Sequence, residues 1–154
     1  MDKLPGTIDA YPTVFIVNTD ESHQPGSHWI CIYLSSPNWG YFFDSYGFEP
    51  LFWDNRLNNF MHSNTSGSFS WNTSSLQLLN SFTCGEWCML AADCLCRQQP
   101  QSDHEVKIPS FSEHELRRWV LNHFMKRKFR IIDDFDQQTC SCMKVNLCKR
   151  KFIL

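Results

Sequence analysis

The sequence predicts an α+β domain in which a central mixed or antiparallel sheet packs against helices. Three apolar, β-branched or aromatic segments come first, at residues 12–18, 28–34 and 39–44. Apolar helical patterns follow at residues 51–62, at residues 84–97 and from Ser112 to about Lys126. Strands that are grouped ahead of helices are typical of this fold class.

The chain of 154 residues fits one domain, residues 1–154, with a core over about 12–130 and a basic, cysteine-containing tail over about 131–154. A hydrophobic content of 42 % and an aromatic content of 15 % exclude a disordered chain. No apolar run approaches the roughly 18 residues of a membrane span, and the first residues carry no signal-peptide pattern. We therefore expect an intracellular protein whose eight cysteines are mostly reduced.

The local signals along the chain predict how these elements connect. The turn at residues 35–38 predicts that strands 28–34 and 39–44 form a hairpin. Residues 63–75 are rich in Ser, Thr and Asn and predict a loop with one short strand. Ser112 and Glu115 have the spacing of a capping box, which starts the last helix.

Cys84 lies where a polar run ends in Cys-Gly and an apolar helical pattern begins. This position predicts a cysteine at a helix N-terminus, where free backbone N–H groups and the helix dipole favour a thiolate. A thiolate is the nucleophile of cysteine catalysis. The alternative is that Cys84 is a small buried hydrophobic residue.

Three further residues have positions that suit a cysteine nucleophile. His28 starts a strand after a Pro-Gly-Ser loop and is a candidate general base. Asp44 ends the neighbouring strand, so the open end of the hairpin brings it to His28, where it fixes the imidazole tautomer. The amide of Gln77 is a candidate donor to an oxyanion. Each alone has a structural alternative: His28 as a strand-end residue, Asp44 as a turn former.

Four segments in order resemble the adenovirus endopeptidase (adenain) family of cysteine proteases. Its relatives are encoded by adenoviruses, adintovirus-like elements and Maverick/Polinton transposons. The segments are Ile-Val-Asn-Thr at 16–19, Pro-Gly-Ser-His-Trp at 25–29, Tyr-Phe-Phe-Asp-Ser-Tyr-Gly-Phe at 41–48 and the Gln-x6-Cys-Gly run at 77–85. The same His-Trp, Asp-Ser-x-Gly and Gln-x6-Cys-Gly pattern occurs in the wider clan that includes SUMO-deconjugating peptidases.

The resemblance implies a papain-like-clan architecture and a role for each matching residue. Cys84 is then the nucleophile, His28 the general base and acid, and Asp44 the residue that orients His28. Gln77 and the backbone N–H of Cys84 form the oxyanion hole. Adenovirus enzymes mostly carry Glu at the position of Asp44, whereas the deconjugating branch carries Asp. Asn80 matches an Asn of the adenoviral run.

The implied function is a cysteine endopeptidase that cleaves viral-like polyprotein or capsid precursors in the host nucleus or virion. A ubiquitin-like, SUMO-type deconjugating peptidase is the enzyme alternative. An inactive, domesticated copy that acts as a binding module is the non-enzyme alternative. The resemblance implies no cofactor for the chemistry, but implies DNA and an activating peptide as regulators.

The charge distribution bears on the DNA expectation. Residues 1–106 carry 3 basic and 11 acidic side chains, whereas residues 107–154 carry 11 basic and 5 acidic ones. A basic segment attracts nucleic acid or an acidic partner, although a solvated face has the same composition. The basic residues proposed for DNA are Arg117, Arg118, Lys126, Arg127, Lys128, Arg130, Lys149, Arg150 and Lys151.

The cysteines of the tail form a partial set of metal ligands. Cys140, Cys142 and Cys148, with His123 or Asp136 as a fourth ligand, match no standard zinc spacing. We therefore predict no metal and interpret these cysteines as reduced thiols.

Overall fold

The computed structural model describes residues 1–125, which form an α+β fold around a four-stranded mixed sheet. The strands are β1 (Thr13–Asn18), β2 (Trp29–Ser36), β3 (Trp39–Asp44) and β4 (Phe69–Trp71). The helices are α1 (Pro50–Trp53), α2 (Asn55–Asn64), α3 (Cys84–Gln98) and α4 (Glu113–Val120). A 3₁₀ turn at Asp103–Glu105 and a π-helical turn at Leu121–Met125 complete the described elements.

The sheet has the order β1-β2-β3-β4. The pairs β1–β2 and β2–β3 are antiparallel, whereas β4 adds to β3 in parallel. The predicted hairpin of β2 and β3 is confirmed, and Ile30 pairs with Asp44 at its open end. Since the chain enters β2 through His28, this end of the hairpin is where His28 and Asp44 meet.

Both faces of the sheet are buried, which explains why its strands are nearly continuous apolar runs. Side chains alternate between the two faces along each strand. One face, with Ile16, Cys31 and Phe43, packs against α3. The other face, with Ile32 and Phe42, packs against α2. The sheet is therefore the middle layer, and α3 presents its N-terminus at one edge of that layer.

The single helix predicted over residues 51–62 is wrong, because the structure has two helices there. Asp54 is extended, with φ −166° and ψ 140°, and separates α1 from α2. Its side chain accepts a hydrogen bond from the backbone N–H of Arg56 and so caps α2. An aspartate that can cap a new helix makes a break at this point energetically acceptable, and the break leaves Trp53 at the end of α1.

The last described helix begins as predicted. Ser112 and Glu115 form the capping box at the start of α4. The helix ends at Val120 and continues into the π-helical turn, and Lys126 lies outside the described residues. Arg117 and Arg118 are exposed on α4. The other basic residues proposed for DNA, the tail at about 131–154 and Cys140, Cys142 and Cys148 lie outside the described residues.

No helix within residues 1–125 has the length and apolar content needed to cross a membrane. In the same part of the chain, no group of three or more His, Cys, Asp or Glu side chains is arranged to hold a metal ion.

Candidate active site

His28 and Asp44 form a buried pair at the open end of the β2–β3 hairpin. Nε2 of His28 donates to Oδ1 of Asp44 at 2.6 Å. His28 is only 4 % exposed and Asp44 is fully buried. The bond fixes the proton on Nε2, so Nδ1 is the nitrogen that remains for a second partner.

The Asp44 carboxylate is held by four hydrogen bonds. Besides His28, Oδ1 accepts from the backbone N–H of Tyr46 at 3.2 Å. Oδ2 accepts from the backbone N–H of Phe48 at 3.0 Å and from Nε1 of Trp53 at 3.1 Å. These donors offset the cost of burying the carboxylate and fix its direction towards the imidazole.

Two aromatic rings enclose the His28 imidazole. Trp53 stacks on it with ring centroids 4.4 Å apart and an interplanar angle of 18°. Tyr46 stacks at 5.0 Å and 21°. The ring is therefore fixed in its plane by these contacts and in its rotation by Asp44.

Cys84 is the first residue of α3 and is half-buried. Its thiol lies where His28 and the backbone N–H groups of Trp29 and Gly85 stabilise the thiolate and so lower the thiol pKa. Three donors and a helix N-terminus thus surround the sulfur, and all of them favour the thiolate.

The pKa values of Cys84 and His28 are shifted in the directions that favour an ion pair. Burial alone raises the pKa of Cys84, but the bonds from His28 and Trp29 outweigh burial and lower that pKa below its usual value. Burial alone lowers the pKa of His28, but the bonds to Asp44 and Cys84 raise it to about 9. Both shifts favour the thiolate and the imidazolium relative to free cysteine and histidine side chains.

The other described cysteines with a shifted pKa move the opposite way. Burial raises the pKa of Cys31 and of Cys88, which are fully buried on the sheet face and on α3. Burial also raises the pKa of Cys94 to about 11. Cys84 therefore differs from these thiols in its electrostatics as well as in its position.

Gln77 is buried beside the same site, with its side chain fully bonded. Its Oε1 accepts from Oγ of Ser45 at 2.7 Å. Its Nε2 donates to Oη of Tyr46 at 3.1 Å and to the carbonyl oxygen of Ser81 at 2.8 Å. The amide is thus anchored between the residues that follow Asp44 and the loop that precedes Cys84.

The loop that carries Gln77 is tied to the end of β3. The backbone N–H of Asp44 donates to Oδ1 of Asn72 at 3.0 Å, and Nδ2 of Asn72 donates to the carbonyl oxygen of Asp44. The backbone N–H groups of Leu76 and Gln77 both donate to the carbonyl oxygen of Ser45. These bonds connect the Asp44 segment and the Cys84 segment, which are about forty residues apart in the chain.

The structure therefore brings Cys84 to the hydrogen-bonded pair of His28 and Asp44 and places Gln77 against the same segments. Asn80 is exposed on the loop before Cys84. Sequence reasoning missed Trp53, which both stacks on His28 and donates to Asp44. No local signal identifies it, because its position depends on the break at Asp54.

Comparison with known proteins does not assign this chain to a family. No protein-family model matches the chain, and a search of curated proteins found no match. The basis for assigning a function is therefore the chemistry of the site. A hydrogen-bonded thiol, imidazole and carboxylate can generate a nucleophile, hold its proton and return that proton to a leaving group.

Proposed function

We propose that this chain is a cysteine endopeptidase of the papain-like clan, similar to adenovirus endopeptidase. The observation that carries the proposal is the line from Cys84 through His28 to Asp44, in which the thiol pKa is lowered and the imidazole pKa is raised. An acyl-transfer reaction needs this charge arrangement, because the thiolate is the attacking form.

The reaction follows from the roles of the three side chains. The Cys84 thiolate attacks the scissile carbonyl carbon and forms a tetrahedral oxyanion. His28 gives its proton to the leaving amine as the C–N bond breaks, which leaves a thioester. Water then attacks the thioester carbonyl, His28 takes a proton from it, and the carboxylic acid product releases the thiolate.

The oxyanion is stabilised by the backbone N–H of Cys84 and the side-chain amide of Gln77. In the free protein both N–H groups of that amide have partners, Tyr46 and Ser81. Binding of substrate exchanges the longer bond, to Tyr46, for a bond to the oxyanion. One such donor contributes on the order of 3 kcal/mol to transition-state binding.

A polypeptide substrate is supported by exposed apolar side chains on the loop before Cys84 and beside Trp53. Leu79 and Phe82, 89 % and 91 % exposed, lie on the loop before Cys84. Phe48 and Phe52 are also exposed, and their rings stack on one another beside Trp53. Exposed apolar patches mark surfaces that bind other chains. The substrate class we propose is a viral-like polyprotein or capsid precursor.

A SUMO-type deconjugating activity is the second candidate. Asp44, rather than Glu, as the partner of His28 favours it, because that branch of the clan carries Asp. The two candidates differ in their substrates: an endopeptidase cleaves short peptides, whereas a deconjugase needs a folded ubiquitin-like protein.

A substrate panel tests the proposal and separates the candidates. Quenched fluorescent peptides and SUMO-like conjugates are incubated with wild-type protein, with Cys84→Ala and with Cys88→Ala as the matched cysteine control. We expect peptide cleavage that is lost in Cys84→Ala and retained in Cys88→Ala. Cleavage of conjugates alone would favour the deconjugase, and cleavage of neither would support an inactive binding module.

A further inference from the structure

A cavity of about 830 Å³ opens beside the nucleophile. Gly85, Glu86 and Met89 of α3 form one wall, and Trp29 forms another. Residues 15–18 of β1 and the loop at 20–26 contribute the remaining walls, together with residues 1–5. Trp29 and Gly85, which line the cavity, directly follow His28 and Cys84 in the chain, so the cavity lies next to the catalytic pair.

Most acidic groups at the cavity already have partners. Asp2 accepts from Ser22 and lies 3.7 Å from the ammonium of Lys3. Glu21 pairs with Arg56 at 3.1 Å. Asp20 accepts from Oγ of Ser27 at 2.9 Å. The carboxylates of the N-terminal segment and of the loop are therefore already paired.

Glu86 differs from these groups. It lies in the first turn of α3, lines the cavity and is only half-buried. Within residues 1–125 its carboxylate has neither a hydrogen bond nor an ion pair. A partly desolvated carboxylate that faces an open cavity attracts a cation more strongly than a carboxylate on an open surface.

The cavity walls next to Glu86 are apolar and suit the methylene stem of a lysine or arginine side chain. Trp29 and Met89 are half-buried apolar residues of the same cavity. Long basic side chains lay their methylene stems along apolar surface and direct the charged end to a polar group. An indole also attracts a cation that lies over its face.

We propose that this cavity is a specificity pocket in which Glu86 binds a lysine or arginine side chain of the substrate. The inference rests on the proposed function, since the pocket serves the same nucleophile. Glu86 follows Cys84 by two positions and so points to another side of the helix. Because Glu86 and Cys84 lie in the same first turn of α3, the basic residue binds close to the scissile bond, at a position that the test below identifies.

The test uses short peptides with a central epoxysuccinyl group, which alkylates cysteine and leaves amino acids on both sides of the reactive carbon. One lysine is moved through the positions on either side, and norleucine at the same position is the uncharged control. The rate of Cys84 labelling is followed by mass spectrometry. The variants are Glu86→Gln, Glu86→Lys and Asp9→Asn, which removes an exposed carboxylate outside the cavity.

We expect lysine at one position to raise the labelling rate about tenfold over norleucine in wild type and in Asp9→Asn. Glu86→Gln loses this preference, and Glu86→Lys reverses it, so that the norleucine peptide labels Cys84 faster than the lysine peptide. A lysine preference that survives in Glu86→Gln, or no preference at any position, overturns the pocket and leaves the proposed function standing. If no peptide labels Cys84, both proposals fail.

Discussion

The His28 imidazole has a partner on each side: Asp44 on Nε2, and the Cys84 thiol. The first bond matters most for the charge of the ring, because burial alone lowers the imidazole pKa and Asp44 is the strongest influence in the opposite direction. The proposed chemistry at the residue scale therefore depends on a carboxylate that is fully buried behind the imidazole.

Asp44→Asn tests this dependence. The change keeps the size of the side chain and removes the charge, so the pKa of His28 falls from about 9. We expect peptide turnover to drop by about 10²–10⁴-fold. The alkaline limb of the pH–activity profile, which reports loss of the His28 proton, should move to lower pH. An unchanged alkaline limb would show that Asp44 does not set the protonation of His28.

Gln77→Glu tests the oxyanion role while keeping the anchor to Ser45. The variant retains an oxygen acceptor for Ser45 but loses the N–H donors. We expect turnover to fall by about 10²–10³-fold with KM nearly unchanged. Gln77→Ala also removes the buried bonds to Ser45, Tyr46 and Ser81, and so should lower the free energy of unfolding by about 1–3 kcal/mol. Equal turnover in wild type and Gln77→Glu would contradict the oxyanion role.

At the scale of elements, the break between α1 and α2 is the feature that completes the site. The single turn of α1 ends in Trp53, whose ring stacks on His28 and whose Nε1 donates to Asp44. Sequence reasoning predicted one helix there, because the apolar spacing of residues 51–62 is compatible with a continuous helix. An aspartate at position 54 is compatible with a continuous helix and with an N-cap, and the tertiary contacts of Trp53 with His28 and Asp44 decide for the break.

Trp53→Phe and Trp53→Ala separate the two contacts of this ring. Phe keeps a ring against His28 and loses the bond to Asp44, whereas Ala loses both. We expect a loss in turnover that is larger for Ala than for Phe, and an alkaline limb shifted to lower pH in both. Circular dichroism controls for unfolding. Equal activity of Trp53→Ala and wild type would contradict the proposed role of the Trp53 ring in holding His28 and Asp44.

Other elements were predictable because their signals are local. The β2–β3 hairpin follows from two apolar runs and a short turn, and its register brings His28 and Asp44 together. The start of α3 at Cys84 follows from a polar run that meets an apolar helical pattern. The anchoring of Gln77 was not predictable, because it depends on tertiary hydrogen bonds from the loop at 72–83 to the end of β3.

At the scale of the whole molecule, the site joins three separate parts of the fold. The hairpin supplies His28 and Asp44, α1 supplies Trp53, and α3 supplies Cys84. Both faces of the sheet are covered, by α3 and by α2. Unfolding therefore separates all these groups at once, so the shifted pKa values must appear in the dependence of stability on pH.

The His28 contribution to stability is isolated in Cys84→Ser. The folded-state pKa of His28 is raised, so its contribution is fully present below the unfolded value of about 6.5 and is lost as pH rises through the folded-state pKa. In wild type the lowered pKa of Cys84 contributes with the opposite sign, since that contribution is lost as pH falls. We expect the free energy of unfolding of Cys84→Ser, from urea titrations, to fall as pH rises above about 6.5. If the free energy of unfolding falls in the same way in the double variant Cys84→Ser/His28→Gln, the decline does not come from His28.

The central claim is that Cys84 and His28 form a thiolate–imidazolium pair. The most direct measurement is the rate at which iodoacetamide alkylates each cysteine across pH, followed by mass spectrometry in wild type and His28→Ala. We predict that near neutral pH Cys84 reacts at least about tenfold faster than Cys31, Cys88 and Cys94, and that His28→Ala removes this advantage. If Cys84 reacts no faster than Cys94, or keeps its advantage without His28, the pair does not exist and the peptidase proposal fails with it.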